Sequence, residues 1–267
     1  MKLSHVILLC LVSGSFLQAQ SLEKTYSFDL GYRPTAASID RQGYLYFSNN
    51  QGAIDKLDKK GNEIYHYSPQ KQGTPTLIDA WQGLRTFVYY QNFQEYILLD
   101  RFLNASERYQ VNSNQISDFS GLATLANDNN LWILNNQELS LKKIDINDRE
   151  LLIENQLNLS LDIDSWDIKF IRSYQNYLFI GDSKEGIFVF DNLGNYSEKI
   201  TESGIDFFTF TGDEIVFLSS GKLQMIHLYD KTKREISLPD LPYQFVLMEN
   251  NQIFLVHNQT VEVYNLN

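Results

Sequence analysis

Cysteine is nearly missing from this 267-residue chain: the one thiol, Cys10, lies within the first twenty residues. Beyond that point the sequence has no means of forming a disulfide, a thiolate nucleophile or a cysteine-based metal site. Positive charge is also short, with 22 Lys and Arg against 33 Asp and Glu and a formal charge of −11. That balance excludes nucleic acid as an expected partner, because phosphate binding needs clustered Lys and Arg to release counterions. Histidine is scarce, with four residues in all. His66 and His227 fall in strand-like runs with no carboxylate at the same slot, which points to packing rather than general-base work. There is no Gly-x-Ser-x-Gly elbow and no glycine-rich phosphate loop opening a helix.

Long apolar runs are missing as well. The stretch from Val6 to Val12 follows a single positive charge at Lys2 and leads into Leu17-Gln18-Ala19-Gln20. It is far shorter than the ~20 residues a spanning helix needs. The pattern is that of a cleavable secretory signal over residues 1–20, leaving one domain over 21–267. Leu9 stands before Cys10 where a lipoprotein signal has a small residue, so lipidation is disfavoured. The expected compartment is therefore the periplasm or the cell exterior, and no transmembrane segment is expected.

What is present is strand pattern. From Thr25 onward, apolar residues alternate with polar ones over short runs such as Tyr44-Leu45-Tyr46-Phe47 and Ile253-Phe254-Leu255-Val256. Gly, Asn and Asp punctuate these runs, and no segment sustains a helical period. The order also repeats. Asp58, Asp100, Asp145, Asp191, Asp230 and Asn265 close equivalent apolar strands at roughly 41-residue intervals, the spacing of a four-stranded propeller blade. Each aspartate suits a turn in which its carboxylate accepts backbone N–H groups.

The expected fold is all-β: a six-bladed β-propeller of four-stranded antiparallel blades. The last unit stops after three strands, and the orphan strand Thr25–Leu30 would close the ring as its fourth. Units such as Ile39-Asp40-x-x-Gly43-x-Leu45-Tyr46-Phe47 and Gly186-Ile187-Phe188-Val189-Phe190-Asp191 resemble the six-bladed propellers of the NHL and gluconolactonase-like superfamily. The resemblance implies architecture only. Gluconolactonase-like enzymes hold a divalent cation in the channel on residues from different blades, but Gly31-Tyr32-Arg33-Pro34 stands where their Glu-Gly-Pro would be, so no catalytic residue carries over.

Candidate site residues come from the starts of the inner strands, which in a propeller ring converge on the top mouth of the central channel. They are Arg33, Asp79 with Trp81, Asp118, Asp164 and Asp167 flanking Trp166, Asp206, and Tyr243. Aromatic rings beside a few convergent polar groups suit ligand recognition. Several carboxylates around one cavity need a neutralising charge, with Arg33 and Lys222 the nearest basic residues by slot, or else a calcium ion, the one cofactor these residues leave open. The top-face loops are rich in amides, as in Asn49-Asn50-Gln51-Gly52 and Asn135-Asn136-Gln137-Glu138. The expected function is a non-catalytic binding or scaffold propeller, monomeric, recognising an envelope protein, peptide or glycan on its top face. The rival is a channel-site hydrolase of lactonase type using a divalent cation.

Overall fold

The computed structural model describes residues 22–111, 121–161 and 165–266. Strand β1 (Leu22–Asp29) precedes the first blade. Blade 1 comprises β2 (Ala36–Ile39), β3 (Leu45–Ser48), β4 (Ile54–Leu57) and β5 (Glu63–Tyr67). Blade 2 comprises β6 (Leu77–Asp79), β7 (Arg85–Tyr90), β8 (Glu95–Asp100) and β9 (Ala105–Gln110). Blade 3 comprises β10 (Leu122–Leu125), β11 (Leu131–Asn135), β12 (Ser140–Ile144) and β13 (Leu151–Gln156). Blade 4 comprises β14 (Ile168–Tyr174), β15 (Tyr177–Asp182), β16 (Gly186–Asp191) and β17 (Tyr196–Ile200). Blade 5 comprises β18 (Phe208–Thr211), β19 (Glu214–Ser219), β20 (Lys222–His227) and β21 (Lys233–Ser237). Blade 6 takes β22 (Phe245–Glu249), β23 (Gln252–His257) and β24 (Thr260–Leu266) from the C-terminal part, and β1 pairs antiparallel with β24 as its outer strand.

The repeat spacing is thus the blade spacing, and the aspartates that mark it work as turn acceptors. Asp58 accepts the N–H groups of Lys60 and Asn62 at 2.8 and 2.9 Å. Asp100 accepts Phe102 and Asn104, and Asp191 accepts Leu193 and Asn195, in the same pattern. Each carboxylate closes the hairpin between third and fourth strands by satisfying donors the ladder leaves free. At Gly61, in the first of these turns, φ is +87° and an added Cβ would meet the Phe28 ring at 2.5 Å. The glycine lets β1 lie against the turn of blade 1.

Blades join through apolar faces. Ala37, Leu57, Leu247 and Val263 belong to one buried cluster, and Val216, Met225, Val246 and Leu255 to another between blades 5 and 6. Aromatic residues carry much of the inner ring: Tyr174 of β14 stacks on Phe210 of β18 with centroids 4.1 Å apart. Removing such a buried ring should cost about 3–5 kcal/mol.

Two buried lysines pin neighbouring blades in an equivalent way. Lys56 lies opposite Tyr46 and Lys143 opposite Trp132 in the same register slot, and each ammonium sits about 5 Å from that ring (5.2 and 5.0 Å). Lys56 reaches the carbonyl of Arg101 in the next blade's turn, and Lys143 that of Asn192. Burial pulls the Lys56 ammonium below its usual range, against the pull of Asp40. Each lysine gains a ring face, a carboxylate and a carbonyl in exchange for water.

The sixth blade is held by a polar cluster. Glu262 of β24, nearly buried, accepts hydrogen bonds from Tyr243 and Tyr264 hydroxyls at 2.7 and 2.9 Å and pairs with Lys24 of β1 at 2.5 Å. Burial works against its ionisation, but the Lys24, Tyr243 and Tyr264 hydrogen bonds outweigh it and hold the carboxyl below its usual range. A depressed carboxyl stabilises the fold above its unfolded pKa, and that stabilisation is lost as pH falls through the folded value. Glu262→Ala should therefore cost about 2 kcal/mol at neutral pH by orphaning two hydroxyls. In denaturant titrations, the gap to wild type should close as the pH is lowered.

Candidate functional site

The top face is set by where the inner strands begin and where second and third strands connect. Those connections run 49–53, 91–94, 136–139, 183–185, 220–221 and 258–259. Several are closed by their own side chains: the amides of Asn49 and Asn135 accept Gln51 and Ala53, and Gln137 and Glu138, and the carboxylate of Asp182 accepts Lys184 and Glu185. The amide-rich rim is to that extent turn chemistry.

Five of the nine sequence-derived candidates lie at this end. Arg33 precedes β2, Trp166 and Asp167 precede β14, Asp206 precedes β18 and Tyr243 precedes β22. Asp118 and Asp164 lie outside the described residues. Asp79 and Trp81 do not belong with the others. Asp79 ends β6 and pairs with Phe87, so it and Trp81 sit at the connection from first to second strand, on the opposite face. The inner strand β6 is only three residues long, and the stronger apolar run Phe87–Tyr90 is the second strand of its blade. Trp81 there packs against Tyr174 at 4.9 Å and carries the Arg41 guanidinium over its ring at 5.0 Å.

At the top mouth, Asp182 organises blade 4. Fully buried, it accepts the backbone N–H of Asp167 at 2.5 Å while also closing its own turn, which fixes the segment carrying Trp166. Trp166 lies half-buried on Phe188, with centroids 5.2 Å apart. Asp167 pairs with Lys169 at 2.7 Å. The hydrogen bond to Asp167 raises the Lys169 ammonium above its usual range against slight desolvation, with Asp206 and Asp182 adding to the rise. Lys169 is the cation facing these carboxylates, a role the sequence suggested for Arg33 or Lys222. Lys222 instead pairs with Glu235 of β21 at 2.6 Å. Arg33 is exposed beside Gln244: with the amide oxygen turned toward it, Gln244 accepts from Arg33 Nε at 2.8 Å. Tyr243 is committed to Glu262, and it also lines an open groove of about 300 Å³ between the Ser219–Lys222 hairpin and the Leu238–Pro242 segment.

Below the mouth the channel is crossed. Phe207 packs on Phe170 at 4.8 Å and on Phe245 at 5.0 Å, joining blades 4, 5 and 6. Beneath them Arg172 of β14 is buried and donates to the carbonyl of Ile78 of β6 at 2.8 Å. Blades 4 and 2 are not neighbours, since blade 3 lies between them, so this bond spans the channel. The guanidinium lies 5.2 Å from the Phe170 ring and 5.8 Å from Phe207, and its Nε has no hydrogen-bond partner. Burial pulls its pKa down and the charge of Asp79 raises it. Asp79 thus serves as the countercharge to Arg172 from the far side of the channel. The cleft beside it, lined by Trp81, Phe87, Leu125 and Ser173, measures about 10 Å³, room for about one water.

No protein-family model matches the sequence, and no curated protein matches it significantly. Solved structures do resemble the fold. A virginiamycin B lyase from Staphylococcus aureus aligns over 93% of this chain and 100% of its own, with a TM-score of 0.64 and 11% identity. A streptogramin B lyase aligns over 93% and 98%, with a TM-score of 0.65 and 15% identity. The β-propeller domain of Cps50 (Swd1) from Myceliophteria thermophila aligns over 92% and 100%, at 0.65 and 11%. At such identities the likeness establishes the propeller architecture and nothing of activity. The narrower likeness to NHL and gluconolactonase-like propellers is not what these neighbours display.

Asp182 is the site's organising residue, and it was not singled out from the sequence. Asp182→Ala should cost about 1–2 kcal/mol by leaving three partly buried N–H groups without their acceptor. The freed Trp166 should move tryptophan emission to the red, a shift that a Trp166→Phe background abolishes.

Proposed function

We propose that this chain is an exported binding propeller that recognises a protein or peptide segment of the cell envelope on its top face, without catalysing a reaction. The observation that carries the reading is the crossed channel: Arg172 bonded to Ile78 under the Phe170, Phe207 and Phe245 rings leaves recognition to the surface above them. That surface has the character of an interface. Trp166 and Tyr243 offer aromatic area, Arg33, Lys169 and Asp206 offer charge of both signs, and the groove beside Tyr243 is open to an extended segment. Export rests on residues 1–20 and membership of the NHL-like propellers on the repeat units; both are part of the same proposal. No helix among the described residues is long and apolar enough to cross a membrane.

The lyases with the same fold keep an enzyme reading in play, and a channel-site hydrolase would need a cavity where the inner strands converge. Arg172 and the three phenylalanines occupy that place.

The test is affinity capture from an envelope extract with the wild-type chain beside an Arg33→Ala, Trp166→Ala, Asp206→Ala variant and a Trp81→Ala control from the opposite face. A partner held by wild type and control, and lost by at least tenfold in the top-face variant, is the expected result. Capture that depends on Trp81 and ignores the triple variant would refute the top-face reading.

A further inference from the structure

On the outer half of blade 1, β4 and β5 bring two carboxylates and an imidazole to one spot. Asp55 of β4 is directly opposite His66 of β5. One pair further on the register slips, so that Leu57 faces Glu63 and β5 carries an extra residue. A bulge of this kind re-aims side chains, and here it turns Glu63 to the face that holds Asp55 and His66. The donor atoms of the three residues all lie within 4.8 Å of one another. Sequence reading gave His66 a packing role; in the structure its ring is 43% exposed and its Nδ1 is 2.5 Å from Asp55 Oδ1.

The surroundings of the cluster hold its donors in place. The Tyr32 hydroxyl donates to the other Asp55 oxygen at 2.5 Å. His66 Nε2 and the Ser68 hydroxyl lie 2.9 Å apart. With Nε2–H donating to Ser68, the Nδ1 lone pair points at the carboxylates, the arrangement in which histidine ligates a metal. The charges call for a cation too. A single proton on His66 can serve one carboxylate, which leaves the second facing a like charge, whereas one divalent ion neutralises both.

We propose that Asp55, Glu63 and His66 form a divalent-cation site of the zinc class on blade 1, oriented by Tyr32 and Ser68. One nitrogen and two carboxylates with an open fourth position suit Zn²⁺; Ca²⁺ takes six to eight oxygens, and Mg²⁺ favours an octahedral oxygen shell. Ligand atoms around tetrahedral zinc stand roughly 3.3 Å apart, given bonds of about 2.0 Å. The present spacing requires shifts of about an ångström, which the exposed Glu63 and His66 side chains can make. The bound ion would tie the bulged outer strand to β4. This site is separate from the top mouth and does not rest on the proposed binding function.

Calorimetric titration of the full chain, prepared without a histidine tag and stripped by chelator, tests the site. One equivalent of Zn²⁺ is expected to bind, with no comparable heat from Ca²⁺ or Mg²⁺. His66→Gln and Glu63→Gln should each weaken Zn²⁺ at least tenfold, and Tyr32→Phe should weaken it more mildly, while His227→Gln leaves it unchanged. Both ligand variants alter exposed side chains, and circular dichroism confirms that they fold. Absence of Zn²⁺ binding, affinity indifferent to His66→Gln, or equal binding of Ca²⁺ would overturn the assignment.

Discussion

Arg172 joins two blades that are not neighbours in the ring. Its guanidinium leaves β14, passes under the Phe170 and Phe207 rings and donates to the carbonyl of Ile78 on β6, with the charge of Asp79 acting on it from the same side. A buried cation of this kind is tolerated only because carbonyl, countercharge and ring faces together replace its hydration. Its position decides what the rest of the molecule can do. Among the described residues, Arg172 and the Phe170, Phe207 and Phe245 rings fill the space below the mouth, and Arg33 and Asp206 at the inner-strand starts are exposed.

The same accommodation of buried charge recurs between blades. Lys56 and Lys143 lie in one register slot, each against an aromatic ring and each reaching a turn carbonyl of the next blade. Glu262 does the equivalent work for blade 6, gathering Lys24 from β1 with two tyrosine hydroxyls. The apolar faces supply most of the stabilisation, and the polar contacts set blade order and register, since a misplaced blade would strand a charge.

Much of the architecture was legible because a propeller writes itself as a repeat. The turn aspartates mark the ends of third strands, and the amide-rich hairpins are the connections between second and third strands. Legibility failed where an element was too short or a contact too distant in sequence. β6 has three residues, so Asp79 and Trp81 were assigned to the wrong face. Lys169 is the exception: it lies two residues from Asp167, on the same side of an extended segment, so its pairing had a local signal in the i, i+2 spacing. The pairing of Asp55 with His66 depends on cross-strand register and the approach of Glu63 on a bulge, neither of which composition reveals. Arg172 was passed over for the same reason, since its partner is 94 residues away.

The likeness to lyases and to a Cps50 (Swd1) propeller shows how little the ring alone says about activity. If Arg172 is the crosspiece described, thermal unfolding of Arg172→Ala measures it directly. Loss of the cross-channel bond and its packing should cost about 3 kcal/mol and lower the melting temperature by roughly 6–12 °C. Had Arg172 been retained as a strained functional charge, its removal would relieve a buried ion. A variant that melts at or above the wild-type temperature would contradict the account.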